Sequence, residues 1–353
     1  MKNDNYFTIQ YKGAGMGQTF NDFKFLYGVF KGMTDLKFSF SNLGITHNCG
    51  QNTPLFNNYF GLSSFSEKIS DKKFDNYKRI DITIPEVIKE FGIDPQKAKL
   101  NLNKKEGIMY VLKNWSNGKI KGGPLGPWGK CEKKLRHDLW QIGNRGEWLN
   151  NPILKQCFSS KHAVEFRQKI QEQSLFKNTE SEKLLICYRL GDTALQKNKH
   201  GVKDYLFNKS YDSWEEALKA RQKSCKPFIE TESYLRDIDN YLKNKKVCTT
   251  AGDIPIENME PDCPCGSKTS IALISDGFKN NKQGTEKYLH KIINYCGDKF
   301  IIGEGPSETL TSLQTIFDAD TFIAAYKGFP NLRNLFKGDD AKFIRVSGSP
   351  GRW

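Results

Sequence analysis

The segment Lys183–Asp192, KLLICYRLGD, carries the residues of this 353-residue chain best suited to chemistry. Leu184-Leu185-Ile186-Cys187-Tyr188 is an apolar run of strand length, and it predicts a short buried strand. Arg189 ends the run, and Gly191-Asp192 turn the chain. In an open α/β sheet, ligands bind just beyond the carboxyl ends of the strands. A guanidinium placed there presents a planar fork of donors that matches phosphate oxygens. A strand-end arginine is more commonly a surface ion pair, so its meaning depends on what lies downstream. Two further strand ends carry polar groups: Ser275-Asp276 after Thr269–Ile274, and Gly303-Glu304-Gly305 followed by Ser307-Glu308. In that constellation Arg189 neutralises a diphosphate and Asp276 accepts hydrogen bonds from a base or from ribose hydroxyls. The helix beginning near Ser307 offers free N–H groups and a positive dipole end. A nucleotide diphosphate fits the set.

The elements that must position these groups alternate along the chain. After the strand at 183–188, helices are predicted over Ser213–Arg221 and Ser233–Lys243, a strand over Thr269–Ser275, and a helix over Thr285–Tyr295. A strand over Lys299–Ile302, a helix capped by Ser307 with Leu310, Leu313, Ile316 and Phe317 on one face, and a strand over Asp320–Ala325 follow. The amino-terminal half opens in the same way. Tyr6–Tyr11 predicts a strand, Gly13–Gly17 a tight turn, Phe20, Phe23, Tyr27 and Phe30 a buried helix, and Leu36–Phe40 a second strand. This is the start of a doubly wound domain. Gly15 and Gly17 either hold a phosphate at the helix start or simply turn the chain, and both readings stand. Lys119–Trp148 is rich in Gly, Pro, Trp and Lys and reads as a long irregular loop. Its Trp128 and Trp140 suit sugar stacking or packing of the loop on its own domain. Ala163–Gln173 reads as a helix, and the polar stretch Ser174–Glu182 as an interdomain linker. The expected domains are 1–175 and 180–340.

Composition sets limits. The hydrophobic fraction of 37% and aromatic fraction of 12% supply a core, which excludes a disordered chain. No run of 18 apolar residues is present. Met1-Lys2-Asn3-Asp4-Asn5 has no apolar signal region behind it, which predicts a cytoplasmic protein. The nine cysteines are scattered apart from Cys263-Pro264-Cys265, whose spacing is wrong for a paired zinc site, so free thiols are expected. Net charge is +14, which suits an anionic partner: a nucleotide diphosphate, a nucleic acid or an anionic membrane surface. The excess is concentrated between Lys97 and Arg136, where eleven basic residues face only Glu106 and Glu132. Charge runs of this kind are usually solvated loop faces.

In order, these segments resemble the fucosyltransferase superfamily, which includes bacterial α-1,2- and nodulation-type fucosyltransferases and the protein O-fucosyltransferases. CYRLGD at Cys187–Asp192 resembles its arginine motif, IALISDG at Ile271–Gly277 its middle motif, and SLQTIFDADTFIAAYKGF at Ser312–Phe329 its last. Arg189 and Asp192 are kept, while Cys187 and Leu190 stand where the motif has a histidine and a second arginine. Lys327-Gly328-Phe329-Pro330 stand in place of a serine-rich element. The resemblance implies a GT-B glycosyltransferase, two Rossmann-like domains with the active cleft between them. It implies a GDP-fucose donor, no metal or other cofactor, and inversion at the anomeric carbon of a sugar passed to a glycan acceptor. Arg189 is then the catalytic residue that stabilises the departing diphosphate. Gly15, Gly17, Arg189, Asp192, Ser275, Asp276, Ser307 and Glu308 are the expected donor-binding residues.

A general base must meet the acceptor hydroxyl. His47, Asp35 and Glu147 are candidates from the amino-terminal half, each also readable as structural or surface. Asp318-Ala319-Asp320 formally matches a D-x-D metal motif but lies at a helix-to-strand turn and reads as turn chemistry. The alternatives are a glycosyltransferase with another nucleotide sugar, and a non-enzymatic protein tracking nucleic acid with the basic stretch and Tyr110, Trp115 and Trp128. No nucleic-acid module is recognisable, so nucleic acid is not the expected partner.

Overall fold

The computed structural model describes residues 6–10, 37–38, 49–65, 77–82, 108–113, 152–177, 181–224, 227–245, 269–279, 281–326, 329–337 and 341–349. The chain divides into two compact units, Met1–Gln168 and Lys169–Trp353. Among the described residues no helix is long and apolar enough to cross a membrane.

The first unit is built on four parallel strands, β1 (Tyr6–Gln10), β2 (Lys37–Phe38), β3 (Lys78–Ile82) and β4 (Ile108–Lys113), in the order β2-β1-β4-β3. Helices α1 (Cys49–Tyr59), α2 (Pro152–Phe158) and α3 (Lys161–Lys169) belong to it as well. The aromatic rings of Phe56, Tyr59, Phe60 and Phe158 cluster where these helices meet. The Arg167 guanidinium lies 3.6 Å from the centre of the Phe158 ring and donates to the carbonyls of Tyr59 (2.7 Å) and Phe158 (2.5 Å). Burial pushes its pKa down, and those carbonyls compensate by solvating the cation.

One expectation is corrected in this unit. Part of the basic stretch read as a loop face is strand β4, paired on one side with β1 and on the other with β3. Ile108-Met109-Tyr110-Val111-Leu112 has the β-branched and aromatic character of an interior strand, and that outweighs its charged flanks. Tyr110 stands opposite Phe7 and Ile80 in the ladder. The predicted glycine turn with Gly15 and Gly17, the helix after it, Asp35, His47, Glu147 and the loop carrying Trp128 and Trp140 lie outside the described residues.

The second unit is an α/β layer structure around a five-stranded parallel sheet. Its strands are β5 (Glu182–Tyr188), β9 (Thr269–Ser275), β10 (Phe300–Ile302), β11 (Thr321–Ala324) and β12 (Lys342–Arg345), in the order β10-β9-β5-β11-β12. Strands β9 and β5 carry near-continuous apolar runs because both faces of a parallel sheet are covered. A three-stranded antiparallel sheet, β6 (Leu195–Asn198), β7 (Gly201–Asp204) and β8 (Lys209–Tyr211), is inserted after β5. It is followed by α4 (Trp214–Gln222), whose N-cap Ser213 accepts from the Glu216 N–H.

Then come α5 (Thr231–Lys245), α6 (Lys282–Cys296), α7 (Pro306–Asp318) and the short α8 (Leu332–Lys337). Tyr234, Ile238 and Tyr241 of α5 and Leu289 and Ile292 of α6 pack on the sheet face that carries Leu184, Ile186, Ile271, Leu273 and Ile323. The β9-to-β10 crossover moves outward and the β10-to-β11 crossover moves back past β5. Right-handed crossovers in opposite directions place α6 and α7 on opposite faces. The sequence marks Ser307 as the cap of α7, but the N-cap is Gly305. Pro306 takes the first helical position, for which its fixed φ is suited, and Ser307 follows it inside the helix. Ser174 and Phe176, at the start of the stretch read as linker, are buried, and the Leu175 N–H donates to Thr315 Oγ1 of α7 at 3.0 Å.

Candidate functional site

Within the second unit the sheet grows outward from β5 in both directions: to β9 and β10 on one side, to β11 and β12 on the other. The direction reverses between β5 and β11, which is the topological switch point where open α/β sheets leave a crevice beyond their carboxyl ends. All five strands are parallel, so their carboxyl ends share one edge. Tyr188 of β5 is in register with Ser275 of β9, and Ser275 with Ile302 of β10. The loops bearing Arg189 and Asp276 and the start of α7 bearing Glu308 therefore emerge side by side.

Backbone bonds join those loops. The Gly191 N–H donates to Gly277 O at 2.9 Å, and the Gly303 N–H to Ser275 O at 2.9 Å. Asp276 Oδ1 accepts the Leu190 N–H at 2.6 Å. A side chain at Gly191 would lie 2.3 Å from Asp276 Oδ2, so the carboxylate is packed against the bare α-carbon. Asp276, expected to serve ribose or base, thus fastens the β5 loop to the β9 loop with one oxygen. Replacing it with alanine removes a hydrogen bond to a charged group, and we expect a loss of about 1.5–3 kcal/mol. Urea denaturation would measure it, and a midpoint unchanged from wild type would contradict the clamp.

Ser275 is buried, and its Oγ accepts the Gly277 N–H at 3.1 Å. Gly277 has φ of 71°, a conformation that glycine adopts without strain. Asp192 lies in a single turn of 3-10 helix, Gly191–Thr193, directly after Arg189 and Leu190. At the start of α7 the Glu308 carboxylate folds back over the glycines: a Cβ on Gly305 would lie 2.5 Å from its Oε2. A carboxylate at the third helical position satisfies the amino-terminal dipole from within the chain. It leaves that helix end better suited to hydroxyl donors than to phosphate. Ser307 is exposed beside it.

Arg189 is exposed at the β5 side of the switch point. Its guanidinium carbon lies 5.9 Å from the centre of the Tyr326 ring, which follows β11 on the other side. The Tyr326 hydroxyl donates to Pro227 O at 2.9 Å. Tyr326 is absent from the expected site residues, although it stands directly after a predicted strand, as Asp276 does. Cys187 and Leu190, the two departures from the arginine motif, are both buried, with Leu190 at 0% exposure. Arg189, by contrast, is exposed.

The tyrosines beneath this pair are buried. Tyr188 and Tyr234 stack at 4.2 Å between ring centres. Burial holds both phenols well above their ordinary pKa, so both keep their protons and donate at neutral pH.

The chain matches no protein-family model and no curated protein sequence.

Asp320 of the D-x-D triplet lies at the opposite, amino-terminal edge of the sheet, where its Oδ2 accepts the Lys183 N–H at 2.9 Å. Among the described residues no three His, Cys, Asp or Glu side chains come together as a metal-binding group. Cys157, Cys187 and Cys296 are free and buried, and burial pushes the Cys157 thiol up to about 12.

Proposed function

We propose that the second unit binds a nucleotide diphosphate sugar at the switch point between β5 and β11, and that the chain is a GT-B-type glycosyltransferase. The observation that carries this reading is Arg189, exposed at the carboxyl end of the central strand and facing Tyr326 across the reversal in strand order. One fixed cation there can take the charge that develops on a departing diphosphate. Glu308, folded over the glycine turn, is an acceptor for ribose or sugar hydroxyls. The sugar is assigned from the motif resemblance: fucose from GDP-fucose, inverted on transfer to a glycan acceptor without a metal. Because Leu190 is buried where the motif has a second arginine, a different nucleotide sugar is the second reading.

A panel of nucleotide sugars in a thermal-shift assay tests the donor. A ligand at 100 times its Kd stabilises the folded state by about 2.7 kcal/mol. GDP and GDP-fucose are expected to raise the melting temperature in the presence of excess chelator. A shift with UDP-sugars alone would reject the fucosyltransferase reading. No shift with any nucleotide would reject the transferase.

A further inference from the structure

The hydrogen-bond ladder between β5 and β11 is interrupted at the switch point by a side chain. Ala324 stands opposite Cys187 in the register. In this parallel pair, rungs run alternately from each bonding residue to the two that flank its partner. The next one would therefore link the Ala325 N–H to the Cys187 carbonyl. The Tyr234 hydroxyl occupies that position. It donates to Cys187 O at 3.1 Å and accepts from the Ala325 N–H at 3.2 Å. A direct rung spans about 2.9 Å between nitrogen and oxygen. Two bonds through a hydroxyl span more, so the strands part here. Tyr234 reaches the gap from α5, is 1% exposed, and is held by its stack on Tyr188. Tyr326 lies one residue past Ala325, and Arg189 two residues past Cys187.

We propose that Tyr234 is a positioning residue: its hydroxyl holds β5 and β11 apart and so sets the placement of Arg189 against Tyr326, and with it the position of the guanidinium that meets the phosphates of a nucleotide. The inference rests on the nucleotide reading above. Phenylalanine fills the same space but leaves the carbonyl of Cys187 and the N–H of Ala325 without this partner. Buried backbone groups do not stay unpaired, and the relief open to them is the direct rung. That rung draws the end of β11 toward β5 and displaces Tyr326 and Arg189 from their present placement.

The test is calorimetric titration of GDP into the full chain as wild type, Tyr234→Phe and Arg189→Ala. Tyr234→Phe is expected to keep the wild-type circular dichroism and to weaken GDP about tenfold, with a direct Ala325-to-Cys187 bond in its crystal structure. In case that variant does not fold, 3-fluorotyrosine at position 234 keeps the hydroxyl. Its fluorine resonance is expected to move on adding GDP, and not to move when Arg189 is alanine. If Arg189→Ala weakens GDP while Tyr234→Phe stays within twofold of wild type, or the fluorine resonance ignores GDP, the positioning role is overturned and the nucleotide site stands. If Tyr234→Phe weakens GDP and Arg189→Ala does not, the placement of the phosphates at Arg189 is overturned. If wild type binds no GDP, the nucleotide reading is overturned and this inference with it.

Discussion

For the transferase proposed above, replacing Arg189 with alanine is expected to lower sugar transfer by at least a hundredfold while leaving the melting temperature close to wild type. Removing one fixed donor from the charge that forms in a transition state costs about 2.7–4 kcal/mol, or 10²–10³ in rate. The side chain is exposed, so its removal opens no cavity in the core. Lysine is expected to restore only part of the rate, because an ammonium supplies the charge without the planar fork. Turnover by Arg189→Ala within a fewfold of wild type would show that the guanidinium serves the surface and that the leaving group is stabilised elsewhere.

Breaking the ion pair between Arg221 and Asp204 is expected to give the largest loss of stability. Both side chains have zero exposure, and Arg221 Nη1 lies 2.9 Å from Asp204 Oδ1. The same oxygen accepts the N–H groups of Leu206 (2.9 Å) and Phe207 (3.2 Å), which fixes the turn between β7 and β8. Removing Arg221 leaves the Asp204 carboxylate buried without this counter-charge, a cost of about 3–5 kcal/mol. Arg221→Met keeps most of the volume and isolates the electrostatic part. Asp204→Ala also unties the turn, so it is expected to lose more. The double variant should lose less than the two single losses added together, because residues in one network are not independent. Urea denaturation followed by far-ultraviolet circular dichroism gives all three values. A loss below about 1 kcal/mol for Arg221→Met would mean that water reaches the pair.

The second unit was largely legible in its sequence because its strands are long apolar runs. Thr269–Ser275 was read to the residue, and β5 to within one residue at its start. Helices α4 to α6 were placed with ends displaced by one to three residues, since helix ends are set by caps rather than by apolar periodicity. The insertion β6–β8 and the edge strand β12 were missed. Leu195-Gln-Lys-Asn, Lys209-Ser-Tyr and Lys342-Phe-Ile-Arg are short and half polar, and only pairing with neighbours makes them strands. At the site, the strand-end residues could be named but not their partners. No local pattern says that Asp276 fastens Leu190, or that a tyrosine 47 residues past Cys187 would reach between two strands.

The position of β5 has a consequence for how the chain is made. It is the first strand of its unit to be synthesised and the middle strand of the finished sheet, and it finds both neighbours late, at 269–275 and 321–324. Translation adds about 5–20 residues per second, so its apolar residues wait on the order of ten seconds for cover. Pairings that close such long loops are slow to form. The antiparallel insertion is different: its strands and α4 are neighbours in sequence, and it can form while the sheet is still incomplete. Order in this unit is therefore expected to spread from the insertion toward the sheet. Throughout that interval, the strand that will carry Arg189 is the segment most open to a chaperone.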